Sequence, residues 1–142
     1  MNIKKNFIAD SCFWIALFDT TDQFHENAVG IQKKILLEEQ PILLPWPSLF
    51  EILNSRFMTE KSIHWREVFK KGFKNNFIIV DDNKYQDSAL NSVLGQKDLS
   101  LVDKVVNLMM EDIDLKIKAL ITFNVRDFEK TARKHSIEII SK

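Results

Sequence analysis

Short apolar runs alternate with stretches of helical periodicity along this chain. FIA at 7–9 is apolar and stops at Asp10, as a buried strand would. CFWIALF then predicts a helix from Ser11 to the polar turn DTTD at 19–22. Phe24, Ala28, Ile31, Ile35 and Leu36 recur at helical spacing, so 23–38 predicts an amphipathic helix. PILL at 41–44 predicts a second strand bounded by Pro41 and Pro45. From Ser48, the positions Leu49, Ile52, Leu53 and Phe57 mark another helix, and SIHWREVFKKGFK at 62–74 a basic one ending near Gly72. FIIV at 77–80 is a third strand, followed by a helix over 84–94 closed by Gly95. LVDKVVNLMMEDI at 101–113 has apolar positions on more than one face and predicts a largely buried helix. ALIT at 119–122, a short helix near 126–134 and a fifth strand at 137–140 complete the series.

Short strands alternating with helices indicate an α/β fold with a parallel sheet. No internal repeat or linker breaks the pattern. In such sheets ligands bind outside the carboxyl ends of the strands. Polar residues just after strand ends are therefore the first candidates for chemistry.

Composition narrows the class. The 142 residues make one domain's worth of chain, expected to span 1–142, with enough length for a real core. Three glycines and three prolines exclude low-complexity and collagenous designs. Twenty basic and twenty acidic side chains cancel, so nucleic-acid binding has to come from a local patch. Cys12, the single cysteine, cannot form an internal disulfide and is expected to act as a small hydrophobe. Lys4 and Lys5 before an apolar run imitate a secretory signal. Asp10 and Ser11 interrupt that run, which is also far short of the roughly 20 residues that span a bilayer. The chain is expected to be cytoplasmic.

Four polar positions stand at strand ends or helix starts: Asp10, Glu51 in PSLFE, Asp103 in LSLVD, and the pair Asn124 and Asp127 in ITFNVRDF. Each has a purely structural explanation. Ser48-x-x-Glu51, Ser100-x-x-Asp103 and Asn124-x-x-Asp127 all fit capping boxes, and Asp10 fits the N-cap of the helix from Ser11. Taken together, helix starts at one sheet edge converge on one crevice. Three or four acids meeting there repel unless a cation neutralises them. Carboxylates without thiolates or a His pair suit Mg²⁺ or Mn²⁺, and such a cluster points to metal-assisted phosphodiester hydrolysis.

The ordered series FIADSCFWIALF, FEIL near 50, KDLSLVDKVVNLMM and KALITFNVRDF resembles the PIN-domain family, in particular the VapC-type toxin ribonucleases. The resemblance implies a three-layer fold with a central, mostly parallel sheet of four to five strands flanked by helices. It also implies a metal-dependent endoribonuclease, with Asp10, Glu51 and Asp103 holding Mg²⁺ or Mn²⁺. Asn124 falls at the family's variable fourth site, where Asp is common, and Asp127 stands next to it as an alternative. Ser11 and Thr122, flanking the site, are expected as hydrogen-bonding supports, with Thr122 equally readable as just the end of a strand. An RNA substrate, an antitoxin protein and a homodimer are the partners implied. Two alternatives stay open: a non-catalytic RNA- or protein-binding scaffold, and a solitary nuclease without antitoxin.

Other residues add less. His25, His64 and His135 lack the i, i+4 spacing of a helical metal pair, and no nucleophile elbow surrounds Ser11, Cys12 or Ser48. FIIVDD at 77–82 imitates a receiver-domain strand end, but too little chain follows for that fold. Arg56, Lys61, Arg66, Lys70, Lys71 and Lys74 form a basic stretch, expected as a solvated helix face or as an RNA-binding flank of the crevice. Trp65, Phe69 and Phe73 recur at i, i+4, i+8 and are expected to face the core or a partner. By contrast 81–114 holds eight acids against three lysines, which polarises the surface.

Overall fold

A computed structural model describes residues 3–38, 40–55, 77–96 and 98–142. The basic stretch from Arg56 to Lys74, with the helix expected there, lies outside the described residues. Among the described residues five strands form one sheet: β1 (Asn6–Ala9), β2 (Ile42–Pro45), β3 (Phe77–Val80), β4 (Ile117–Ile121) and β5 (Glu138–Ile140). Every pairing is parallel, and the strand order is β3-β2-β1-β4-β5. The chain builds outward from β1 to β3, then returns to lay β4 and β5 on the other side of β1. The switch in direction therefore falls between β1 and β4.

Alternation along the strands sends side chains to two cores. Phe7, Ala9, Ile42, Leu44, Ala119 and Ile121 bury against α1 (Ser11–Phe18), α2 (His25–Leu36) and α3 (Trp46–Leu53). Ile8, Leu43, Ile117 and Leu120 face the opposite layer, built from α4 (Gln86–Gly95), α5 (Leu101–Glu111) and α6 (Glu129–Lys134). Ile117 and Ala119 face different cores because β4 is bulged: Asn6 pairs with Ile117 but Phe7 with Ala119, which leaves Lys118 as the extra residue. Trp14, nearly fully buried, packs edge-on against Phe13 and Phe77 and donates its indole N–H to the Ala9 carbonyl at 3.2 Å. That bond ties α1 to the end of β1. No described helix is long and apolar enough to cross a membrane.

Three local expectations are corrected. Helix α3 starts at Trp46 rather than Ser48, because Pro45 ends β2 and Pro47 sits in the first turn, where its missing N–H is not needed. Ser48 is therefore inside the helix, fully buried, its hydroxyl without a partner among the described residues, and forms no capping box with Glu51. Asn124 makes no side-chain cap on the turn Val125–Asp127, since its amide is turned to a side chain instead. Helix α5 ends at Glu111, and Asp112 caps a separate short turn at Ile113–Leu115.

Candidate active site

Adjacent strand ends place Asp10 and Thr122 side by side at the switch point. The Asp10 N–H donates to the Ile121 carbonyl at 3.0 Å and the Thr122 N–H to the Ile140 carbonyl at 3.1 Å, so both residues extend the sheet by one step. Asp10 is 3% exposed and caps α1, with Oδ1 accepting from the Ser11 N–H at 2.7 Å. Its Oδ2 accepts from the Thr122 hydroxyl at 3.1 Å and from the Cys12 thiol at 3.4 Å. Thr122 Oγ1 also accepts the Asn124 N–H at 2.9 Å, which leaves its single proton for Asp10. The Ser11 hydroxyl lies 3.1 Å from Glu51 Oε1 and 3.4 Å from Asp10 Oδ1, and so bridges the two acids.

Cys12 is not the inert filler its position suggested. Burial first, and the neighbouring Asp10 charge second, push its thiol up to about 11, so it stays protonated and donates. Its sulfur in turn accepts the Phe123 N–H at 3.4 Å.

Asp103 enters from the first turn of α5. Ser100 caps that helix, its Oγ accepting the Asp103 N–H at 3.1 Å, so this predicted box partner is in place. Helix α3 meets α5, which carries Glu51 towards Asp103. Burial, followed by the charges of Asp10, Asp127 and Glu51, pushes Asp103 up to about 7. Burial raises Asp10 against the pull of its four donors, and burial with the Asp10 charge raises Glu51. Among the described residues none of these three acids has a cation within ion-pair distance. Lys104, next to Asp103, is turned to Asp98 at 3.1 Å.

The fourth corner is a pair. Asn124 Nδ2 donates to Asp127 Oδ2 at 2.5 Å, and Asn124 is exposed while Asp127 is half-buried. Asn107, buried one turn beyond Asp103, donates its amide to the Asp103 carbonyl at 2.8 Å and to the Asp127 carbonyl at 3.4 Å. It pins the Val125–Asp127 turn against α5. The signal for it was visible: one amide at an otherwise apolar position of VDKVVNLMM.

Carboxylate and amide oxygens suit a hard divalent cation. Among the described residues no three His, Cys, Asp or Glu side chains stand close enough to grip one ion together as they are placed. The donors fit in chemical type and in uncompensated charge; they do not form a closed cage.

No protein-family model matches the chain, and no curated protein does. Among solved structures, VapC20 of Mycobacterium tuberculosis, described as a sarcin-ricin loop cleaving toxin, matches over 88% of this chain and 95% of its own. The TM-score is 0.65 at 15% sequence identity. The fold is PIN-like. At that identity the likeness is one of architecture. In this PIN-like frame the expected residues Asp10, Glu51, Asp103 and Asp127 interact electrostatically across one crevice, and Ser11 and Thr122 touch its acids. Asn124 reaches the crevice through Asp127. The basic residues Arg56, Lys61, Arg66, Lys70, Lys71 and Lys74 lie outside the described residues.

Proposed function

We propose that this chain is a PIN-type, metal-dependent endoribonuclease and the toxin of a toxin–antitoxin pair. One observation carries the reading: four acids, from the N-cap of α1, the last turn of α3, the first turn of α5 and the Val125–Asp127 turn, share the crevice at the β1/β4 switch point, and Asp103 is driven up to about 7. Such repulsion is a cost in a structural site and an asset in one that takes a cation and a phosphodiester. Asp10, Glu51 and Asp103 would hold Mg²⁺ or Mn²⁺, with Asn124 or Asp127 completing the set. When bound, the ion supplies an acidified water and a counter-charge for the phosphoryl oxygens.

The chain's own residues do the positioning. Thr122 and Cys12 fix Asp10 Oδ2, and the Ser11 N–H fixes Oδ1, so the Asp10 carboxylate is locked before substrate arrives. Ser11 holds Glu51 through Oε1; Oε2 takes no hydrogen bond among the described residues and accepts a proton from the attacking water. The reading carries a cytoplasmic location, a homodimer and an antitoxin segment covering the crevice.

The test is purified protein with RNA, with and without Mn²⁺. The parent cuts only with metal, and Asp10→Asn and Asp103→Asn remain folded without cutting. Both variants cutting at the parent rate overturns the site. For the toxin role, induction arrests growth and a neighbouring small gene relieves it; harmless expression of soluble, active nuclease leaves a solitary enzyme. A second reading, a non-catalytic RNA-binding scaffold, is favoured by the absence of a closed cage among the described residues. It predicts RNA binding without cleavage at any Mn²⁺ concentration.

A further inference from the structure

Arg126, Lys130 and Lys134 recur at i, i+4, i+8 through the Val125–Asp127 turn and α6. All three are exposed, and among the described residues none has a carboxylate within ion-pair distance. The other nearby cations are engaged: Arg133 with Glu129 at 2.6 Å and Lys104 with Asp98 at 3.1 Å. Unpaired like charges at i, i+4 oppose each other on a helix face, so the stripe is a local cost without an anion. It lines a groove of about 640 Å³ between α5 and α6, and Asp127 stands on the wall of that groove. Asp127 also acts electrostatically on Asp103. The groove therefore shares Asp127 with the acidic crevice.

We propose that this groove takes the phosphodiester backbone of single-stranded RNA on one side of the scissile bond, with Arg126, Lys130 and Lys134 as its phosphate contacts. The proposal rests on the nuclease reading of the crevice. Within α6 the step from Lys130 to Lys134 advances the charge by roughly 6 Å, and Arg126 precedes them on the Val125–Asp127 turn, giving a track rather than a point site. Flexible lysine stems match a backbone of variable sequence, and the two remaining wall acids have other partners: Asp98 pairs with Lys104 at 3.1 Å and Glu111 lies 4.0 Å from His135. Nothing in the stripe reads bases. The groove contributes affinity and register, not sequence choice.

The experiment measures binding of a labelled oligoribonucleotide in chelator across a salt series, and cleavage kinetics in Mn²⁺. The variants are Arg126→Gln/Lys130→Gln/Lys134→Gln and, as a control on α2, Lys33→Gln/Lys34→Gln. Each phosphate contact to a single strand contributes about 0.7 to the slope of log K against log salt, so the triple variant should flatten it by about 2. KM should rise at least tenfold while kcat at saturating RNA stays within twofold, and the control should match the parent. Melting temperatures equal to the parent's or higher exclude a folding defect. Cleavage with an unchanged slope and KM overturns the groove and leaves the nuclease standing. A parent that binds RNA through the stripe yet never cuts overturns the nuclease reading alone. If poly-glutamate binding depends on the stripe while RNA binding ignores it, the groove is a protein site and the proposal falls.

Discussion

Replacing Asp103 with Asn sets the two roles of this residue against each other in a single melting curve. In the metal-free protein, burial and the charges of Asp10, Asp127 and Glu51 push Asp103 from 3.8 up to about 7. The unfolded chain releases that proton near pH 4 and the folded one holds it until about 7, so stability is lost as pH rises through that window. At about 1.4 kcal/mol per pH unit the full gap would be worth about 4 kcal/mol. Asp103 is only half-buried, so solvent screening cuts this to about 2 kcal/mol. Against it, Asn loses the favourable charge at the first turn of α5, about 0.5–1 kcal/mol. The net expectation at pH 8 is a gain of about 1 kcal/mol, or a Tm about 4 °C above the parent. At pH 5 the parent's Asp103 is protonated in the folded state but largely ionised in the unfolded chain, so part of the cost remains; the gain should shrink from its pH 8 value and vanish only below about pH 4. Thermal melts of parent and Asp103→Asn in chelator from pH 5 to 8.5 make the comparison. Asp10 and Glu51 titrate in both proteins, and the difference isolates Asp103. A pH-independent difference, or a loss at pH 8, would mean that the helix-start contribution outweighs the repulsion and that the crevice is not electrostatically loaded.

Three further outcomes are expected. Millimolar Mn²⁺ should raise the parent's Tm at pH 8, by about 2.7 kcal/mol of stability at a hundredfold excess over Kd, and Asp103→Asn much less; a flat titration of the parent by scanning fluorimetry would count against a metal site. Thr122→Val removes the hydroxyl proton that Asp10 Oδ2 accepts and should cost about 1–3 kcal/mol in denaturant melts while moving the acid limb of the cleavage pH profile upward, because the buried carboxylate loses a donor that favours its charged form. In a metal titration of cleavage, Asn124→Asp should lower the half-maximal Mn²⁺ concentration and Asp127→Ala should raise it; if neither moves, the fourth corner is structural and three acids carry the site.

The architecture was legible because its signal is local. The apolar runs of β1, β3, β4 and β5 end on polar residues and that of β2 on Pro45, and the alternation that sends Phe7 and Ala9 one way and Ile8 the other is a property of consecutive residues. What escaped notice depends on partners distant in sequence. Ser48 fits a capping box by spacing, yet Pro47 lets the helix begin earlier and carries that serine into the core. Cys12 looks like a core residue until β4 brings Thr122 and the Phe123 N–H beside it from 110 positions or more along the chain. Asn107 stands out in its apolar helix, but its function needs the Val125–Asp127 turn to be laid against α5. Asn124-x-x-Asp127 has cap spacing, and the two side chains do meet, but as a direct pair rather than as a cap. The stripe of Arg126, Lys130 and Lys134 was equally readable as spacing; only the groove beside it gives the spacing a direction.

Capping and chemistry are not competing explanations at this edge. A helix that follows a parallel strand begins at the strand's carboxyl end, so a capping acid is delivered to the crevice by the same connection that needs the cap. Asp10 is the N-cap of α1 and also the most deeply buried acid of the four. Asp103 sits in the first turn of α5, where the helix end favours its negative charge, and in the field of three other carboxylates, which oppose it. Helix starts make Asp10 and Asp103 tolerable one by one, and the strand order β3-β2-β1-β4-β5 brings them together. Because β1 and β4 are neighbours in the sheet but far apart in sequence, the collision costs no long loop. It needs only Thr122 to end one strand where Asp10 ends the other. An isolated cap would be relieved by turning outward to water. Asp10 cannot turn, since Ser11, Cys12 and Thr122 hold both of its oxygens. The charge is fixed in place, and without metal the repulsion is met by Asp103 keeping its proton up to about 7; on the proposed reading a bound cation would take over that role.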